Sequence, residues 1–357
     1  MTRKTIAMTS FFQRHRLDTP LLLCLALLLL AGLSFTGSAS LQRTVTEMLI
    51  RMVMVVGLFI FIGHSGVMSF GHMAFVGIGA YGVAWGTMDP AIKRLVLPGL
   101  PDLLQQATLP WIAASVLAAL LAAVVALIAG SVILRLSGIA ASIATFSLLA
   151  IFNVVYSNWD SVTAGSSSIV GIPTPVEVWQ ALAFAVVAIG LAHWHSVSRF
   201  GLALRAVREE PVAASSCGIN AWRQLLVAFV LSAFVCGLGG ALDAQFLGVV
   251  NPDAYYLGRT FTCLTMLVIG GSTSLSGAVS GVVVLSALIE MLVRLESGVT
   301  VAGMTLQLLT GSQEIVVGLF MMLMLIRRPS GLMKGRDWHW PRRAPLRRRS
   351  QPVLATI

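Results

Sequence analysis

Runs of apolar residues decide what this chain can fold into. Several, such as 110–134 and 224–248, exceed the roughly 18 residues that mark a membrane-spanning helix. Hydrocarbon offers a peptide backbone no hydrogen-bond partners, so only helices and closed barrels cross it. Barrel strands would alternate in polarity over about ten residues, and these runs do not. An all-α, polytopic membrane helical bundle is therefore the predicted fold class. Charge content agrees: 11% of the residues are Asp, Glu, Lys or Arg, against roughly 25% in soluble domains.

The runs divide into about ten transmembrane helices, at 20–35, 43–63, 67–87, 110–134, 138–157, 176–194, 224–248, 260–272, 276–294 and 311–327. With both ends inside, Arg and Lys collect on one side: in 1–19, at Arg135, in 195–223 and in the tail. Arg43, Lys93, Arg94, Arg259 and Arg294 fall on the other side, and Arg51 within a span. The positive-inside bias makes the richer side, and both termini, cytoplasmic. Three parts follow: a basic N-terminus with the first span (1–42), a membrane domain (43–328) carrying the loop 195–223, and a basic tail (329–357) expected to be disordered. The first span, followed by Thr36 to Ser40, reads either as an uncleaved anchor or as a signal peptide with a small-residue cleavage site. Its removal would leave every other span oriented as before.

The net charge of +10 resides in the two tails. That placement fits anchoring at the membrane surface, and nucleic acid is not an expected partner. Cys24, Cys217, Cys236 and Cys263 show no metal-ligand spacing. The only lysines, Lys4, Lys93 and Lys334, follow no glycine, so the chain lacks a phosphate-cradling G-x-x-x-x-G-K-[ST] loop, and it has no H-E-x-x-H zinc motif. Gly63-His64-Ser65-Gly66 matches the short pattern around the nucleophile of rhomboid-type intramembrane proteases. His72, His193 and His195 are poorly placed to serve it as a mid-membrane base.

Charges within spans need partners. Glu47 with Arg51, and Glu290 with Arg294, stand four residues apart and can pair along a helix face, whereas Asp243 and Glu314 have no evident partner. Two stretches, Gly63 to Gly82 and Ile269 to Gly281, are rich in small residues. Such residues let helices approach closely. Interrupted, short spans of this kind also surround substrate sites in transporters.

One polar island, Ser196 to Arg223, separates two apolar runs. Within it Pro211 opens, and Gly218 closes, a short stretch punctuated like a helix. It is either a projecting handle or an ordinary solvated loop.

Several motifs in one order resemble the M-type permease subunit of bacterial branched-chain amino-acid ABC importers. They are SGVMSFGHMAFVGIGAYG (Ser65 to Gly82), NWDSVTAGSSSIVGIP (Asn158 to Pro173), SRFGLALRAVREEPVAASSCGIN (Ser198 to Asn220), AFVLSAFVCGLGGALDAQFLGVVNP (Ala228 to Pro252), MLVIGGSTSLSGAVSG (Met266 to Gly281) and RRPSGL (Arg327 to Leu332). The resemblance covers about residues 45 to 333. It implies a permease in the bacterial inner membrane, with ATP and Mg bound by separate ABC ATPase subunits and no cofactor in this chain. It further implies an H-type second permease and a periplasmic substrate-binding protein as partners, besides membrane lipid.

The family's ATPase-coupling helix often carries E-A-A-x-x-x-G. Here Val212, Ala213, Ala214 and Gly218 stand at those positions, so the leading acid is absent, and Arg208, Glu209 and Glu210 precede the motif. Ser69, His72, Tyr81, Ser272 and Thr273 are the candidates for lining a translocation path. Urea and short-amide importers of the same architecture are the alternative within the family, and the outer loop at 158–173 favours the amino-acid branch. Outside it, an ion-coupled secondary transporter would need unpaired buried charge, for which Asp243 and Glu314 are the candidates.

Overall fold

The computed structural model describes residues 18–35, 37–296, 299–301, 304–306, 311–328, 331–333 and 337. The N-terminus before residue 18 and most of the expected tail at 329–357 lie outside them. Each of the ten expected spans is a helix. The chain begins with α1 (Asp18–Ser34), α2 (Ala39–Ser65) and α3 (His72–Thr87). Two short helices, α4 (Pro90–Val96) and α5 (Asp102–Gln106), lead into α6 (Trp111–Ile133) and α7 (Ile139–Asn158). After α8 (Asp160–Thr163) and β1 (Ile169–Val170) come α9 (Val178–Val197), α10 (Arg199–Glu209), α11 (Pro211–Ser216) and α12 (Ala221–Leu247). Next are β2 (Val249–Val250), a 3-10 turn (Pro252–Tyr255), α13 (Leu257–Gly270) and α14 (Leu275–Glu296). The strands β3 (Val299–Val301) and β4 (Met304–Leu306) precede α15 (Ser312–Arg327).

Six of these helices, α2, α6, α7, α9, α12 and α14, are long and apolar enough to cross a membrane. The expected count of ten crossings is therefore loose. Helices α1, α3, α13 and α15 have 17, 16, 14 and 16 residues. The shortest extends roughly 21 Å at 1.5 Å per residue, less than a hydrocarbon core of roughly 30 Å. Short spans occur where the chain is rich in small residues. Helix α2 ends in a left-handed Gly66 (φ 71°), and residues 66–71 return the chain to α3 without helix.

Antiparallel β1 and β2, with Ile169 opposite Val250, mark one end of the bundle. Helices α10 and α11 mark the other. On the strand end, Lys93 is wholly buried and donates to the carbonyls of Leu104 (3.1 Å) and Ala107 (2.6 Å), tying α4 to the segment that enters α6. Burial holds its pKa below the ordinary lysine value, with Asp89 pulling the other way.

Helix α12 is the hub, and glycine makes it one. It runs antiparallel to α2, where Ser232 Oγ donates to the Gly57 carbonyl at 2.6 Å. A Cβ on Gly240 would lie 1.8 Å from the Val76 carbonyl of α3, and one on Gly79 would lie 2.1 Å from the Gly237 carbonyl. Gly237 rests against Ala119 and Ala122 of α6, and Gly239 against Met54 of α2. The same device joins α13 to α14, where a Cβ on Gly270 would meet the Gly277 carbonyl at 1.9 Å.

Charge inside the bundle is paired. Glu47–Arg51 and Glu290–Arg294 form along single helices as expected. Asp243, expected to lack a partner, has two: Arg259 Nη1 donates to it at 2.8 Å and the Tyr255 hydroxyl at 3.0 Å. The partners come from the start of α13 and the turn before it, so linear spacing along α12 did not reveal them. The Glu314 side chain lies outside the described residues.

Replacing Gly240 with Val should destabilise the detergent-solubilised protein by at least the roughly 1–3 kcal/mol typical of overpacking, read as a lower unfolding midpoint. Gly190 on α9 has open space around it, so Gly190→Ala should leave the midpoint unchanged or slightly raised.

Candidate functional site

At the end opposite the strands, α9 turns sharply into α10. Ser198 caps α10 by accepting from Gly201 N at 3.3 Å, and a Cβ on Gly201 would lie 2.1 Å from the His195 carbonyl. Only glycine allows so tight a fold-back. Helix α10 is amphipathic: Leu204 and Val207 face the bundle, and Leu202 and Glu209 face out.

Arg208 fastens α10 to the last turn of α2. Its Nη1 donates to the Gly63 carbonyl at 2.9 Å, its stem lies over Gly66, and Nη2 meets Glu209 at 2.6 Å. Nearby, His64 Nε2 meets Ser196 Oγ at 3.0 Å, and Arg205 Nη2 donates to the Ser196 carbonyl at 2.5 Å. The ends of α2, α9 and α10 thus form one polar knot. A cavity of about 130 Å³ beside it is lined by His64, His193, Arg205, Thr273 and Asp337, among others.

Helix α11 projects beyond this knot. Pro211 occupies its first turn and Gly218 (φ 80°) follows its end. There Ile219 N returns to the Ala214 carbonyl at 3.1 Å and Gly218 N to that of Ser215 at 2.9 Å, so the helix stops cleanly. Val212 and Ala213 are exposed, whereas Ala214 is buried. The two alanines therefore do not share one outward face. Glu209 and Glu210 are exposed beside them, while the Arg208 guanidinium points back to α2.

The five path candidates do not converge. Ser69 Oγ bonds His72 Nδ1 at 2.7 Å, and that imidazole is wholly buried among Phe61, Phe75 and Phe229. Tyr81, also wholly buried, packs edge-on against Tyr156 with ring centroids 4.9 Å apart. Ser272 and Thr273 lie instead in the break between α13 and α14. Ser65, the serine of the protease-like pattern, accepts from Val67 N at 3.1 Å, and the adjacent His64 is directed to Ser196.

That break is held by the chain's distant end. Leu332 N donates to the Ile269 carbonyl (2.9 Å) and Met333 N to that of Gly270 (3.2 Å). Asp337 Oδ1 accepts from Ser276 N (3.3 Å) and Oγ (3.2 Å). Sequence reasoning missed this contact and the His64–Ser196–Arg205 knot.

A polytopic helical bundle with a projecting polar handle and helices broken at glycine is consistent with a membrane permease subunit. Residues 40–326 match the family model described as the branched-chain amino acid transport system permease component, and the chain belongs to that family. It is similar to the high-affinity branched-chain amino acid transport system permease protein LivM of Escherichia coli (strain K12), 26% identical, with 87% of this chain and 74% of the relative covered. It is also similar to LivH, the permease protein of the same kind of system in Salmonella typhimurium, 30% identical over 44% of this chain and 46% of the relative. The nucleoside ABC transporter permease protein NupC of Lactococcus lactis is 32% identical over 24% of this chain and 28% of its own length. No solved structure matches.

Arg208→Ala should release α10 from α2 at a cost near the lower end of the roughly 1.5–3 kcal/mol of a hydrogen bond to a charged group, because the guanidinium is partly exposed. Hydrogen–deuterium exchange should rise at residues 199–217 and stay unchanged in α12. Arg208→Lys, which keeps the charge and loses the fork, should fall between the two.

Proposed function

We propose that this chain is the translocating subunit of an ATP-driven importer of branched-chain amino acids in the bacterial inner membrane. The single observation that carries this reading is the α10–α11 handle: a projecting helix, cleanly stopped, bolted through Arg208 to the end of a central spanning helix. Such a joint passes force from a soluble partner to the bundle. ABC ATPase subunits, which bind ATP and Mg, seat against α11 on the cytoplasmic side, with both termini on that side. The basic residues of the handle and of the two tails support that orientation. An H-type permease pairs with this chain, and a periplasmic protein delivers the substrate.

Amino acids rather than urea, short amides or nucleosides are supported by the extent of similarity to the LivM proteins, against the short stretch shared with the nucleoside permease. A carrier working alone on an ion gradient needs a buried group free to bind the ion, and Asp243 is held by Arg259 and Tyr255. Coupling needs an element with two positions, biased from both sides. The handle and the α13–α14 break supply it.

The test is purification of the native assembly followed by reconstitution in liposomes. ATPase chains should co-purify, and leucine uptake should require ATP. Ala213→Trp, at an exposed position, should leave the chain folded but abolish ATPase capture and uptake. Uptake driven by an ion gradient without ATPase chains would overturn the proposal, as would undiminished ATP-dependent uptake in the tryptophan variant.

A further inference from the structure

Away from the handle, two cavities adjoin one another among α2, α13, α14 and α15. The first, about 170 Å³, is lined by Arg51, Ala254, Arg259, Thr262, Cys263 and Ile289. The second, about 350 Å³, shares Thr262 and Ile289 and continues past Phe261, Val317, Gly318 and Met321. One chamber thus has a guanidinium end and an apolar end. None of the five sequence-derived path candidates lines it.

The two arginines come from distant parts of the chain, one in α2 and one in α13. Each is anchored by a single carboxylate contact among the described bonds: Arg51 Nη2 to Glu47, and Arg259 Nη1 to Asp243 at 2.8 Å. A guanidinium carries five N–H donors, so each keeps donors for a further acceptor. The two pairs sum to zero charge, which suits a zwitterion better than a phosphate dianion.

We propose that this chamber is a substrate-binding station of the translocation path, in which Arg51 and Arg259 receive the carboxylate of an aliphatic amino acid and the neighbouring apolar cavity receives its side chain. The inference rests on the amino-acid reading above and adds the place of binding. Glu47, partly exposed and paired with Arg51, would draw the α-ammonium group toward that end. Because Glu47 and Asp243 compete for the same guanidiniums, the substrate's hold stays weak. A station along a path requires that, since tight binding would stall passage. The larger cavity lies within the usual range of roughly 300–1,000 Å³ for small-molecule pockets.

Gly318 makes the test clean. It lines the apolar cavity and has no atom within 4 Å of an added Cβ, so a side chain there enters open space and does not strain the fold. In the reconstituted complex, radiolabelled leucine and alanine uptake would be measured for Gly318→Leu, Arg51→Gln and the control Gly190→Leu. Gly318→Leu should shift the leucine-to-alanine uptake ratio at least fivefold toward alanine. Arg51→Gln should lower uptake of both at least tenfold, with assembly and ATP hydrolysis retained. Gly190→Leu should match the wild type. An unchanged ratio in Gly318→Leu, with unchanged rates in Arg51→Gln, would overturn the inference while leaving the importer reading intact. Loss of a retained phospholipid from Arg51→Gln, detected by mass spectrometry with uptake unaffected, would also overturn it and make the chamber a lipid site. A wild-type complex that moves neither amino acid would overturn the importer reading itself, and this inference with it.

Discussion

The architecture depends on backbone-to-backbone contact between α12 and its neighbours. Lipid tails are as apolar as leucine, so burying leucine between helices gains little in a membrane. Close approach gains more, through dispersion and short polar contacts that larger side chains would prevent. Gly237, Gly239 and Gly240 give α12 three neighbours within about one turn: α6, α2 and α3. Ser232 adds a hydrogen bond to α2 two turns away from that crossing, at the Gly57 carbonyl. The remaining helices are arranged around this centre. Peripheral α7 keeps large apolar residues on its outer surface, including Ile139 and Val154, and α6 exposes Ile128.

Charge obeys the same economy. In a low-dielectric interior an isolated ion is costly, and removing one member of a buried pair leaves the other stranded. Asp243, at 1% exposure, is enclosed by Arg259 and Tyr255. The pair fastens the start of α13 to α12, whereas Arg208 fastens α10 to α2 at the opposite end. Each cation thus locks a junction that helix packing alone would leave free to slide. The two locks lie at opposite ends of the same α2–α12 core.

Much of the fold was legible because its signals are local. Apolar run length located a helix at each of the ten expected spans, six of them long and apolar enough to cross a membrane, and Pro211 with Gly218 gave α11 its limits. The Glu47–Arg51 and Glu290–Arg294 pairs follow from a spacing of four. What escaped was set by distance in the chain. Asp243 finds Arg259 across a turn, and Arg51 reaches the same chamber from a helix two hundred residues earlier. The path candidates failed to converge for a related reason. Small polar residues in a helical membrane protein serve packing and carbonyl capping as readily as transport, and Ser69 Oγ pairs with His72 Nδ1 inside an aromatic cage while Nε2 of that ring has no partner among the described residues. Composition does not distinguish these uses.

The elbow between α13 and α14 is completed by residues synthesised some sixty positions later. Until Leu332, Met333 and Asp337 leave the ribosome, the Ile269 and Gly270 carbonyls and the first amides of α14 lack these partners. Leu332, Met333 and Asp337 therefore act as a latch across the joint between α13 and α14. Without these residues the elbow would be open to any other polar group that reaches it.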